Sequence, residues 1–128
     1  MNKLIIDAAS EKIFLMIISN ASIYNITHEN TKINYEKLTI IINDFLSSKN
    51  IKITNISAIY INQGSGSFAG IRNSMSVVKA FNVAKNIDYY CYNLDDFKDE
   101  KDLRHENIPN LCKKYKIKKN LINPVYLS

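Results

Sequence analysis

One stretch of this chain combines residue types and spacing suited to chemistry: Gly64-Ser65-Gly66-Ser67-Phe68-Ala69-Gly70-Ile71-Arg72. All three glycines of the 128 residues fall inside it. Glycine admits positive φ and lets another group come close to the backbone. An apolar run, Ile56 to Ile61, precedes the stretch. Apolar residues at helical spacing follow it: Ile71, Met75, Val78 and Phe81, with Val77, Ala80 and Ala84 on a second stripe. The pattern predicts a strand, a glycine-rich turn and a helix. Such a turn can cradle an anion or a carbonyl, because amides ahead of a helix point outward and the helix dipole favours negative charge. Arg72, in the first helical turn, could add a bidentate contact. The same residues also suit a tight strand-to-helix connection with Ser67 as N-cap. The spacing fits neither the Walker pattern nor the Rossmann fingerprint.

The other candidate groups are sparser. Asp7 ends the apolar run Leu4-Ile5-Ile6 and is the best-placed carboxylate; its structural alternative is the cap of a turn. His28 stands beside Glu29 and His105 beside Glu106, without metal-ligand spacing. Cys91 and Cys112 are isolated and read as reduced thiols of a cytosolic protein. Lys113, Lys114, Lys116, Lys118 and Lys119, with Tyr115, form either a phosphate-contacting patch or a solvated helix end. Tyr89, Tyr90 and Tyr92 alternate on a strand, so at least one should face out. The net charge of +5 points to an acidic partner, but a chain rich in Ile, Asn and Lys carries compositional bias as well.

The elements that must position these groups follow in order. Leu4 to Asp7, Lys12 to Ile18 and Ser22 to Thr27 read as three strands joined by hairpins, the third more edge-like. One helix is expected over residues 34–48, with Leu38, Ile41, Ile42 and Phe45 as its stripe and Ile40 and Leu46 off it. A polar linker, the Ile56 strand, the glycine stretch and a helix over residues 70–86 come next, then a strand from Asp88 to Tyr92. The order β-β-β-α-β-α-β predicts a ribonuclease-H-like domain of the actin-like ATPase superfamily, a mixed five-stranded sheet flanked by helices. That domain is expected over residues 1–94, followed by a short helical and extended tail over 95–128. No run of eighteen apolar residues predicts a membrane span.

The glycine stretch resembles the G-P-G-S-F-T-G-x-R signature of the TsaB (YeaZ) family in the glycoprotease-like group, with Ser65 for its Pro and Ala69 for its Thr. Ser74 stands where a Gly usually follows. Leu4 to Ala9 is similar to that family's opening I-D-T strand, with Ala8 for the Thr. Asn34-Tyr35-Glu36-Lys37-Leu38 is similar to its H-S-E-x-L helix start, with Asn34 for the His. Asn123-Pro124-Val125-Tyr126-Leu127 is similar to its P-x-Y-L-R ending, with Ser128 for the Arg. The match implies a shortened member lacking most of a second domain. The departures remove polar side chains that could handle a ligand.

What the resemblance implies is a non-catalytic, cytoplasmic scaffold without metal or cofactor of its own. It would pair with a TsaD-like enzyme that transfers threonylcarbamoyl to tRNA, so that tRNA is met indirectly. A TsaE-like ATPase is a further expected partner, and the same helices can form a homodimer. The expected partner surface is Leu38, Ile41, Ile42, Phe45, Met75, Val77, Val78 and Phe81, because helices apolar on more than one side need a second burial partner. Two other readings stand beside it. One is a small ATP-binding or hydrolysing protein, in which Asp7, like the first-strand Asp of related ATPases, places metal and water near phosphates cradled by residues 64–70. The other is an RNA-binding module using the lysines at 113–119.

Overall fold

Strict alternation along the strands sorts the core into two layers. Leu4 and Ile6, Ile13, Leu15 and Ile17, Ile59 and Ile61, and Tyr89 and Cys91 pack on one face of a sheet. The residues between them, Ile5, Met16, Ala58, Tyr60 and Tyr92, pack on the other. Successive side chains of a strand point to opposite faces, so apolar residues at both phases demand cover on both sides. The computed structural model describes residues 2–127.

The strands are β1 (Asn2–Asp7), β2 (Lys12–Ile18), β3 (Ile23–Glu29), β4 (Ile56–Asn62) and β6 (Asp88–Tyr92), in the order β3-β2-β1-β4-β6. β1 and β2 pair antiparallel, as do β2 and β3, while β4 lies parallel to both β1 and β6. This is the expected mixed five-stranded sheet, with β3 at an edge. Ser128, set against the family's arginine, lies outside the described residues. No described helix is long and apolar enough to cross a membrane.

Helices α1 (Lys32–Glu36), α2 (Leu38–Ser48) and α3 (Phe68–Lys85) cover the first face. Instead of one helix over 34–48 there are two. Thr31 caps the first by accepting from the Asn34 amide, and Lys37 leaves the helical region at φ −99°, ψ 12°. The break lets Tyr35 reach Ser67 while Leu38 is fully buried against the sheet. α3 starts at its Ser67 cap and ends at Asn86 in the left-handed region.

The chain after Tyr92 covers the second face. A 3₁₀ turn at Leu94–Phe97, another at His105–Asn107 and helix α4 (Ile108–Lys114) bring Phe97, Ile108, Leu111 and Cys112 onto Ile5, Tyr60 and Tyr92. The expected tail thus supplies a layer of the same core. It also covers the tyrosines, none of which is exposed as expected: Tyr89 and Tyr92 are buried on opposite faces, and Tyr90 is half-buried against the second cluster.

The glycine stretch departs from expectation. It is not a turn but a strand, β5 (Gly64–Ser67), paired parallel with β7 (Val125–Leu127). The chain's last described residues come back alongside the start of α3 to form that pair.

Candidate functional site

β1 and β4 are parallel neighbours in register Ile6 to Ile61, so their C-terminal ends lie side by side. That places Asp7 next to Asn62. Asp7 Oδ1 accepts from the Ala9 amide at 3.2 Å and from Asn62 Nδ2 at 3.3 Å. Its Oδ2 lies 2.9 Å from His105 Nε2. The imidazole stacks on Phe14, with centroids 4.0 Å apart and planes at 27°. A carboxylate fixed on one ring nitrogen and an aromatic face below hold the imidazole in one orientation.

The Asp7 side chain is 14% exposed. Burial alone would raise its carboxyl. The His105 hydrogen bond and charge, the Ala9 amide and the Asn62 amide outweigh that and hold it below the ordinary value of 3.8. The Tyr92 hydroxyl, buried and without a hydrogen-bond partner among the described residues, is pushed well up by burial and next by the Asp7 charge. The cluster can therefore keep an ionised carboxylate and orient an imidazole. Both cysteines lie outside it; burial lifts each thiol to about 12, so they are neutral. Among the described residues no group of three or more His, Cys, Asp or Glu could hold a metal ion.

Asp7 does cap the turn after β1, through Ala9. By sequence reasoning His105 is weighed only as a metal ligand beside Glu106 and is not paired with Asp7. It comes from a segment 98 residues away, and no local spacing announces that meeting.

The glycine strand is filled by the chain's own backbone. A Cβ on Gly66 would sit 2.2 Å from the Ala9 carbonyl oxygen, and one on Gly70 would sit 1.8 Å from that of Ala8. Gly64 has φ +135°, and a Cβ there would meet the Val125 oxygen at 2.1 Å. Donors are committed too. The Gly64 amide donates to Asn62 Oδ1 at 2.9 Å, the Ser67 amide to the Ala9 carbonyl at 2.8 Å, and the Gly70 amide to Ser67 Oγ at 3.2 Å. The expected cradle exists, but carbonyls of Ala8, Ala9 and Val125 lie in it. The phosphate cradle for ATP is corrected accordingly.

The flanking residues behave likewise. Ser65 is exposed. Among the described residues Arg72 pairs with no carboxylate; its guanidinium lies 5.8 Å from the centroid of Phe68, which meets Tyr126 edge-on at 4.7 Å. Gln63 extends the clasp. Its amide nitrogen donates to the Cys91 carbonyl at 3.3 Å, its Oε1 accepts from the Asn123 amide at 2.8 Å, and its backbone oxygen accepts from Val125 at 2.8 Å.

The expected partner surface also needs correction. Leu38, Ile42, Phe45, Met75, Val78 and Phe81 are buried in the chain's own core. Only Ile41 and Val77 keep partial exposure. The main stripe offered as the partner surface is the one that covers the sheet, since a helix with one strong stripe spends it on the nearest apolar layer; of the off-stripe residues Leu46 is buried as well. What remains outward is Ile40, 58% exposed on α2, and Val83, 85% exposed on α3, with Ala80 and Ala84 beside it.

The lysine patch divides. Lys114 pairs with Glu100 and Lys119 with Asp88. Lys113 and Lys116 instead line a cavity on the second sheet face.

No protein-family model matches this sequence, and no curated protein matches it. Solved structures do. YeaZ from Pseudomonas aeruginosa superposes with a TM-score of 0.66 at 17% identity, over 72% of this chain and 43% of that one. A second structure, an uncharacterized protein with similarity to peptidase YEAZ from Pseudomonas aeruginosa, gives the same values. Thermus thermophilus RuvC in complex with Holliday junction substrate superposes with a TM-score of 0.56 at 10% identity, over 96% of this chain and 83% of that one. The chain thus shares the ribonuclease-H-like fold of both proteins and spans less than half the length of YeaZ.

Proposed function

We propose that this chain is a non-catalytic partner subunit. In this reading it pairs with a TsaD-like enzyme and supports threonylcarbamoyl transfer to tRNA, the chemistry belonging to the partner. The observation that carries the reading is the outer surface of the paired helices. α2 and α3 pack together on the sheet, and each leaves apolar side chains in solvent: Ile40, and Ala80, Val83 and Ala84. A Val that is 85% exposed on a well-packed helix gains nothing inside this chain. It gains on contact with a second apolar surface. The YeaZ-like fold and the G-S-G-S-F-A-G-x-R stretch support the choice of partner. A glycine stretch committed to internal packing suits a subunit that holds a shape and turns over no substrate.

Co-expression with the TsaD-like protein of the same cell, followed by mass determination, tests this. A stoichiometric complex is expected from the parent chain. Val83→Glu and Ile40→Glu should each lose it while melting at the parent temperature. Recovery of the chain alone, or a complex indifferent to both substitutions, overturns the reading.

A further inference from the structure

Four described non-glycine residues have a left-handed backbone: Asn50, Asn86, Asn120 and Lys116. Asparagine tolerates that region because its short amide can bond locally; lysine has no such compensation. Lys116 closes α4, where the Ile117 amide donates to the Cys112 carbonyl at 2.9 Å and the Lys116 amide to that of Lys113 at 3.2 Å. Glycine or asparagine is the comfortable residue at such a position. A lysine held there against its backbone preference points to a use for its side chain.

Lys116 lines a cavity of about 380 Å³ together with Lys3 and Lys113. Tyr60 and Tyr90 also line it, their rings within 12° of parallel and centroids 5.1 Å apart. Among the described residues no carboxylate lines the cavity and no ion pair engages any of the three lysines. The neighbouring Lys114 and Lys119 show the ordinary alternative, each with an acidic partner. Three lysines around one cavity without a counter-charge among the described residues attract a multiply charged anion. Parallel phenol rings offer a π surface to a flat ring. The volume falls in the range of small-molecule sites.

We propose that this cavity binds a nucleoside phosphate, with its phosphates among Lys3, Lys113 and Lys116 and its base against the tyrosine pair. Lys3 and Asp7 stand at opposite ends of β1, about 13 Å apart at strand rise. The site therefore draws neither on the glycine strand nor on the helix surface of the partner reading.

Calorimetric titration with ADP tests it, with adenosine and pyrophosphate as the two half-ligands. ADP should bind more tightly than either half. Lys116→Gly should weaken ADP at least tenfold and at the same time raise the melting temperature by about 3 °C, because it relieves the left-handed strain. Lys113→Glu should weaken ADP similarly without that rise. A merely structural lysine predicts the temperature change alone. No heat with ADP overturns the proposal, and so does an affinity unchanged in both variants. Loss of binding to a short RNA in these variants, with ADP bound by neither variant nor parent, also overturns it and gives the lysines to nucleic acid.

Discussion

The glycine strand and the basic cavity make opposite use of their residues. The glycine strand is the most conspicuous motif in the sequence, yet its Cα atoms face Ala8, Ala9 and Val125 of the same chain. The cavity draws Lys113 and Lys116 from the least patterned segment and Lys3 from β1, yet among the described residues none of the three has an ion-pair partner. A glycine motif states that something approaches the backbone closely. It does not state whether that something is a ligand or another part of the fold. Unpaired charge around an open volume is the stronger sign of a missing molecule, because solvent alone compensates it.

This contrast can be broken experimentally, starting with the largest effect. If Gly70 is filled from within, Gly70→Ala must displace the Ala8 carbonyl, 1.8 Å from the new Cβ. A loss of about 3 kcal/mol in urea unfolding is expected. A neutral outcome would reopen the turn as a ligand cradle. Next comes the clasp on the tail. Gln63→Ala removes the acceptor of Asn123 and the donor to Cys91, at a cost of about 1–2 kcal/mol. Amides of 123–127 should then exchange faster than those of β4. Equal protection would mean that the β5–β7 pairing holds without Gln63.

A smaller effect separates the Asp7 cluster from a simple cap. Asp7 is held below its ordinary value of 3.8, so it contributes stability that is complete above that pH and lost as pH falls through the lower folded value. His105→Ala removes part of the lowering. Stability should fall by about 1 kcal/mol near neutrality, and acid unfolding should begin at a higher pH. An unchanged acid midpoint would leave only the Ala9 and Asn62 contacts as the role of Asp7. The smallest effect on folding belongs to Val83→Glu, within about 0.5 kcal/mol, since that side chain touches little of its own fold.

Much of the fold is legible in the residues. Unbroken apolar or aromatic runs mark β1, β2, β4 and β6, and Ser67 before a periodic run marks the start of α3. These signals are local, because strand pleat and helix pitch act on neighbours in sequence. The break at Lys37 is not legible, since Leu38 to Leu46 continues the same apolar period and only the packing of Tyr35 and Leu38 separates the helices. Nor is it legible which stripe faces the sheet once a helix carries apolar residues on two sides.

Residue spacing marks the five strands of the main sheet and the start of α3 but neither β5 nor the break at Lys37, and it requires a close approach to the backbone at Gly64, Gly66 and Gly70. Only the tertiary structure decided by what: Val125, Ala9 and Ala8. It also decided that His105 meets Asp7 and that Lys3 joins Lys113 and Lys116. Local geometry is written in the spacing of adjacent residues. Meetings across the chain are set by sheet order and by how the last segment closes over the second face, and no short-range pattern records either.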